Sequence, residues 1–240
     1  MEEQRKFVAA KKVLQKLNRI FRFANRNDYC KHNPVILLKD DIITPKKKNQ
    51  PALEESDLPE FLKKLDDINV YITTKMGLRM VMLTLTRTKE IRHSTWDEFD
   101  LETDKPLWRI PADRMKMNRD HIVPLSMQAV KVLKKVKRFS RGNQFVFEQQ
   151  NNPQKPMSEN TMLYAMYRMG YHGMATVHGF RATASTILNE KGFRSDVIEL
   201  LLAHVEKNQV RAAYNRAEYL DERRKILQWW ADHLDEINPL

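Results

Sequence analysis

The chain has 240 residues, 42% of them apolar, which is enough to bury one core with a smaller appendage and too many for a disordered protein. Lysine and arginine number 42 against 31 acidic residues, giving a formal charge of +11 at pH 7. That excess points to a polyanionic partner, with nucleic acid the first candidate and an acidic membrane surface the second.

Cys30, the single cysteine, allows no internal disulfide and no zinc cluster, which fits a reducing cytosol. It is expected as a small buried side chain. The opening MEEQRKFVAAKK lacks the apolar centre of a signal peptide. No apolar run approaches the ~20 residues of a membrane-spanning helix, so no membrane partner is expected.

In chain order, residues 1–28 carry apolar side chains at helical spacing, from Phe7 and Val8 through Leu14, Leu17, Phe21 and Phe23. Asn27-Asp28 should end that helix, and Asn33-Pro34 marks a loop. The stretch DIITPKKKNQPALEE, residues 41–55, reads as an interdomain linker with a lysine run. Ser56-Asp57 begins a new domain, and Glu60, three residues after Asp57, is placed for a capping box. Residues 70–85 are apolar with a helical rhythm. Segments 94–100, 107–111 and 121–125 are short, rich in aromatic or β-branched residues and separated by turns, which predicts a three-stranded antiparallel sheet. Helices are expected at 126–138, 158–170, 178–191, 195–204 and 219–236. Met162, Met166 and Met169 should form a core stripe on one of them. The expected fold is therefore mainly α with a small three-stranded antiparallel β-sheet, an α+β class.

Four segments carry residues with chemical potential. Arg87 follows a long apolar run, where a guanidinium could grip a phosphate with two parallel hydrogen bonds. Glu90, three residues on, is spaced to orient a neighbour. Lys116 lies in a basic turn between strands, within reach of a groove or phosphate, or solvated. His121 begins a strand and is expected at a cross-strand surface position. His178 and Arg181 share one face at the start of a helix, whose unpaired N–H groups favour anions. His204 ends an apolar helix, and Tyr214 follows ten residues later between Arg211 and Arg216. A phenolate is a competent nucleophile towards phosphate, but a pKa of about 10 means it needs cations or a base beside it. Tyr219 is a rival nucleophile, although its place before LDERRKILQWWADHL suits it to packing beside Trp229 and Trp230. Each segment alone also fits an ordinary surface or capping role.

Taken in order, the segments resemble the tyrosine recombinase family of phage and genomic-island integrases. The family's signature runs Arg, Lys, His-x-x-Arg, His or Trp, then Tyr. The matching positions are Arg87 in TRTKE, Lys116 in RMKMNRDHIVPLS, His178 and Arg181 in HGFR, His204 in LLAH, and Tyr214 in AAYNRAEYLDERRK. One departure is visible: the family usually carries a glycine just before the first arginine's motif, where this chain has Leu85-Thr86-Arg87.

The resemblance implies a tyrosine recombinase catalytic domain over residues 56–240, a linker at 43–55, and a helical remnant of a core-binding domain at 1–42. An arm-binding domain and the first helices of the core-binding domain would be missing. It implies cleavage and rejoining of double-stranded DNA attachment sites through a 3′-phosphotyrosyl link at Tyr214, without cofactor, metal or ATP. Arg87 and Arg181 would hold the phosphate, Lys116 would protonate the leaving oxygen, His178 would assist proton removal, and His204 would hydrogen-bond the phosphate. Glu90 would support the pocket from behind. It further implies a cytoplasmic, nucleoid-associated protein that forms a tetramer on DNA, helped by accessory DNA-bending proteins and an excisionase. A DNA-binding remnant without catalysis, a type IB topoisomerase and a helix-turn-helix regulator are the competing readings.

Overall fold

The computed structural model describes residues 7–38, 51–115, 118–203 and 219–239. Contacts divide the chain into two units, Met1–Asn49 and Gln50–Leu240. In the first, helix α1 (Phe7–Arg26) ends at a turn where Asp28 takes a left-handed φ of 57°. Asn33 then accepts a hydrogen bond from the Val35 N–H at 3.1 Å and caps a single 3-10 turn. Cys30 is a free thiol, half-buried rather than buried, beside the Phe21 carbonyl.

The second unit is helical, built around α3 (Ile72–Thr84), which is preceded by α2 (Leu58–Asp67). Residues 73–84 of α3 are buried on all but one position, as an apolar helix surrounded by others must be. Packed on it are α5 (Met127–Phe139), α6 (Thr161–Arg168), α7 (Gly179–Glu190) and the last helix, α9 (Leu220–Ile237). Short helices α4 (Thr88–Arg92) and α8 (Ser195–Leu201) complete the set among the described residues. Met162, Met166 and Met169 are all in the core, as their spacing required. The Trp230 indole donates to the Met82 carbonyl at 2.8 Å and ties α9 to α3. Ser126 caps α5 by accepting from the Ala129 N–H at 3.2 Å.

The expected sheet is present, in the order β1 (Phe99–Asp100), β2 (Leu107–Ile110), β3 (His121–Pro124), all antiparallel. Its first strand is shorter than the expected 94–100, because Trp96–Glu98 curl into a 3-10 turn. A second hairpin, β4 (Glu148–Gln149) with β5 (Asn152–Pro156), was not expected, since NPQKP has neither apolar alternation nor β-branched residues. The capping box lies one turn earlier than its sequence position suggested. Asp57 accepts from the Glu54 N–H at 2.9 Å, while Glu60 pairs with Lys64 at 2.7 Å. Among the described residues, no helix is long and apolar enough to cross a membrane.

Candidate active site

Arg87 stands directly before α4 in an extended conformation, at the helix N-cap. Glu90, in the first turn of α4, grips it twice. One carboxylate oxygen accepts from the Arg87 backbone N–H at 2.7 Å, and the other accepts from its guanidinium at 2.8 Å. Glu90 is only 4% exposed while Arg87 keeps 26% of its side chain accessible, so a buried carboxylate holds a guanidinium that still reaches solvent.

The turn that delivers Arg87 explains the missing glycine. Leu85 ends α3 with φ 56° and ψ 22°, the left-handed conformation that glycine adopts without cost. A leucine there costs roughly 1–2 kcal/mol. Its side chain is wholly buried, however, and deletion of a buried leucine side chain costs about 2–5 kcal/mol. Burial therefore wins. Leu85→Gly should lower stability by about 1–3 kcal/mol despite relieving the backbone; a urea midpoint at or above wild type would refute this balance.

Arg181 is the third residue of α7. At the start of that helix Gly179 passes close against the chain at Pro51. A Cβ on Gly179 would lie 2.3 Å from the Pro51 carbonyl oxygen, so the glycine of HGFR is a steric requirement. The Thr176 hydroxyl accepts from the Gly179 N–H at 3.1 Å, and the Thr183 hydroxyl donates to the Leu53 carbonyl at 2.6 Å. Arg181 is buried, and its guanidinium donates to the carbonyls of Leu85 and Leu202. Arg87 in turn donates to the Ala203 carbonyl at 3.2 Å. Ala203, with φ 47°, is a second left-handed residue without being glycine. Thus two arginines from distant parts of the chain converge on the C-terminal turn of α8, whose carbonyls lack intrahelical donors. Each is held by the carbonyl of a left-handed residue.

The two guanidiniums also repel. Burial, and after it the charge of Arg87, pulls the Arg181 pKa down to about 10, against the opposing pull of Glu90 and Glu199. Arg181 therefore remains a cation at neutral pH, poised for an anion that would relieve the repulsion. His178 is the N-cap residue of α7, with an exposed side chain, and its carbonyl accepts from the Arg181 N–H at 3.2 Å. Lys116, His204 and Tyr214 lie outside the described residues.

Three further residues enter the site. Arg114, two positions before Lys116, donates to the Glu90 carbonyl at 2.7 Å and pairs with Glu98. Glu98 also accepts from the Trp108 indole at 2.8 Å, so Arg114 links the β2–β3 loop to α4 through the Glu90 carbonyl and to β2 through Glu98. His121 is not on the surface as expected but 8% exposed. Period-2 alternation in HIVPL would have shown this, since His121 shares a face with buried Val123. Burial, followed by the charges of Arg223, Arg87 and Arg181, pushes the His121 pKa down to about 3, with the Leu201 carbonyl opposing. Below pH 6.5 the unfolded chain takes up a proton that the folded chain refuses until about pH 3, so stability is lost on acidification. This one group contributes at most about 1.4 kcal/mol per pH unit. His121→Gln should flatten the fall of the urea midpoint between about pH 6.5 and 4.5; an unchanged slope would show that His121 titrates normally.

The family model described as "Phage integrase family" matches residues 51–220. The chain belongs to the phage integrase family. Prophage integrase IntA of Escherichia coli K12 is 40% identical over 222 residues, covering 92% of this chain and 53% of that protein. The integrase of enterobacteria phage P4 is 42% identical over 242 residues, covering 94% of this chain and 55% of that one. The chain thus spans about half the length of these curated relatives. Among solved structures, a λ integrase (75–356) dimer bound to a COC′ core site shares the fold, with a TM-score of 0.66 at 16% identity over 86% of this chain and 75% of that one. The mainly helical fold with a small antiparallel sheet is that of this family's integrases.

Proposed function

We propose that this phage integrase family member carries the DNA-breaking and rejoining chemistry of a site-specific recombinase, with Tyr214 as nucleophile. The observation that carries the reading is the convergence of Arg87 and Arg181 on the last turn of α8, immediately before His204 in sequence. Paired guanidiniums fit the non-bridging oxygens of one phosphate, where negative charge accumulates during phosphoryl transfer.

The Tyr214 oxygen attacks the phosphorus, and the bond to the 5′-oxygen breaks. A 3′-phosphotyrosyl link forms, and a 5′-hydroxyl leaves with a proton from Lys116. His178 assists removal of the Tyr214 proton, and His204 donates a hydrogen bond to the phosphate. A 5′-hydroxyl from the partner strand reverses the step, so the bond energy is conserved without ATP. Residues 1–42 serve as part of a core-binding domain, joined through 43–55. The λ integrase neighbour is a dimer bound to a core site. Here the working assembly is a tetramer on attachment-site DNA, with DNA-bending proteins and an excisionase as helpers, in the cytoplasm.

The test is a library of nicked duplexes of random sequence. The expected result is an SDS-resistant adduct on a restricted set of sequences, joined through a 3′ end to the peptide containing Tyr214. No adduct on any duplex would overturn the reading. Adducts scattered without sequence restriction, with relaxation of supercoiled plasmid, would identify a topoisomerase instead.

A further inference from the structure

The segment between β2 and β3 contains Lys116 in sequence, and the described residues on both sides of that lysine are tied down. The Ala112 N–H donates to the Asp120 carboxylate at 2.8 Å and draws the two ends of the loop together. Met115 is buried in the core. The Asn118 N–H donates to the Met115 carbonyl at 3.1 Å, and only Lys116 and Met117 separate these two residues in sequence. Arg114 ends a 3-10 turn over Ala112–Arg114 and makes the longest reach of the group.

The Arg114 guanidinium spans two acceptors. One nitrogen donates to the Glu90 carbonyl at 2.7 Å, and another pairs with the Glu98 carboxylate. The pair is largely shielded, with 19% of the Arg114 side chain and 8% of the Glu98 side chain exposed. Glu98 is itself fixed, since it accepts from the Trp108 indole at 2.8 Å and the Thr95 hydroxyl at 3.2 Å. A planar fork on two fixed acceptors holds one orientation. Glu90 is where two arginines meet: its carboxylate grips Arg87, and its carbonyl takes Arg114. One residue thus joins the arginine read as a phosphate ligand to the loop that contains the lysine read as the acid. A lysine side chain is long and flexible, so the placing of its backbone sets where the ammonium can work. A shift of ~1 Å in a reacting group can cost about 100-fold in rate.

We propose that Arg114 is a positioning residue for the leaving-group acid, clamping the loop that contains Lys116 to the helix whose Glu90 holds Arg87. This rests on the recombinase reading above. In this role Arg114 neither touches phosphate nor moves a proton.

The experiment uses the full chain and two versions of one duplex from the library, with oxygen or sulfur at the 5′-bridging position of the cleaved phosphate. Attack by the Tyr214 oxygen breaks the P–O bond in the first and the P–S bond in the second. A thiol has a pKa of about 8.5, so the sulfur leaves as a thiolate carrying the bonding pair and needs no proton. Arg114→Gln should slow adduct formation about 10- to 100-fold on the oxygen duplex and stay within about threefold of wild type on the sulfur duplex. Lys116→Ala should show the same selectivity with a loss of about 10²- to 10⁴-fold on oxygen. The double variant should be no more than about threefold slower on oxygen than Lys116→Ala, because the clamp has then lost the group it places. A smaller folded fraction slows both duplexes alike and leaves their ratio unchanged, so the ratio reads positioning separately from stability. An Arg114→Gln chain slowed equally on both duplexes, or on neither, overturns the proposal. So does a double variant that is slower on oxygen by the full Arg114→Gln factor, or a Lys116→Ala chain that sulfur does not rescue. Absence of adduct from wild type on both duplexes would overturn the recombinase reading, and this proposal with it; adduct from wild type with an unselective Arg114→Gln chain would overturn the clamp alone.

Discussion

Tyr214→Phe should abolish covalent trapping on a nicked duplex while leaving DNA binding within about threefold of wild type. The reason is chemical. Without the phenolic oxygen, no atom of the side chain can join phosphorus, and loss of a catalytic nucleophile costs on the order of 10⁶-fold. Binding rests instead on the phosphate backbone meeting a chain with a net charge of +11, and one hydroxyl contributes little to it. The rival is Tyr219. It takes a left-handed φ of 43° at the N-cap of α9, and the Arg194 guanidinium lies 4.8 Å from its ring centre. Arg194 is in turn paired with Asp196 at 2.7 Å and Glu222 at 3.1 Å. That is a structural role, in which both the ring and the hydroxyl of Tyr219 engage Arg194; Tyr219→Phe keeps the ring contact and should trap DNA within about threefold of wild type. An adduct that persists in Tyr214→Phe and vanishes in Tyr219→Phe would move the nucleophile. The readouts are denaturing gels for the adduct and gel shifts at fixed salt for binding.

How far the sequence could be read follows from what kind of information each feature uses. The long helices α5, α7 and α9 were legible because one-sided burial imposes a helical period on side-chain type, and α3 because it is a long apolar run buried on nearly every side. The three-stranded sheet was legible from short apolar segments between turns. The β4–β5 hairpin was not, because its pairing is a backbone matter that NPQKP does not advertise. The same distinction runs through the site. Arg87, Arg181 and Glu90 are visible as residue types in order, and the structure brings these three together. The groups that hold the arginines are the carbonyls of Leu85, Leu202 and Ala203, and every residue has a carbonyl. Two of these residues adopt left-handed backbone without being glycine, so even the usual mark of such a turn is missing. Leu85 looked like a departure from the family pattern, yet it keeps the conformation that the pattern's glycine provides. His121 was misplaced for a simpler reason: its polarity outweighed its register with Val123, when register was the better guide.

Arg181→Ala should lower single-turnover cleavage by about 10³- to 10⁵-fold, the range for an arginine that stabilises charge at a transferring phosphoryl group. It should cost far less in stability, and the two effects separate by cause. Removal of the guanidinium leaves the buried Leu85 and Leu202 carbonyls without these donors, each loss worth about 1–3 kcal/mol. Against this, the variant no longer buries a charge beside Arg87. That penalty is what pulls the Arg181 pKa down to about 10. The opposing contributions partly cancel, so a fall in melting temperature of only a few degrees is expected. In the proposed reaction no such cancellation operates, because negative charge would build on the phosphate beside Arg181. Arg181→Lys sharpens the point. It keeps the charge, but an ammonium lacks the planar fork that spans two carbonyls and still faces a phosphate. It should therefore bind DNA within about threefold of wild type and cleave at least about 100-fold more slowly. A cleavage rate within threefold of wild type in Arg181→Ala would remove this residue from the phosphate pocket and leave its two carbonyl bonds as a purely structural clamp between α3, α7 and α8.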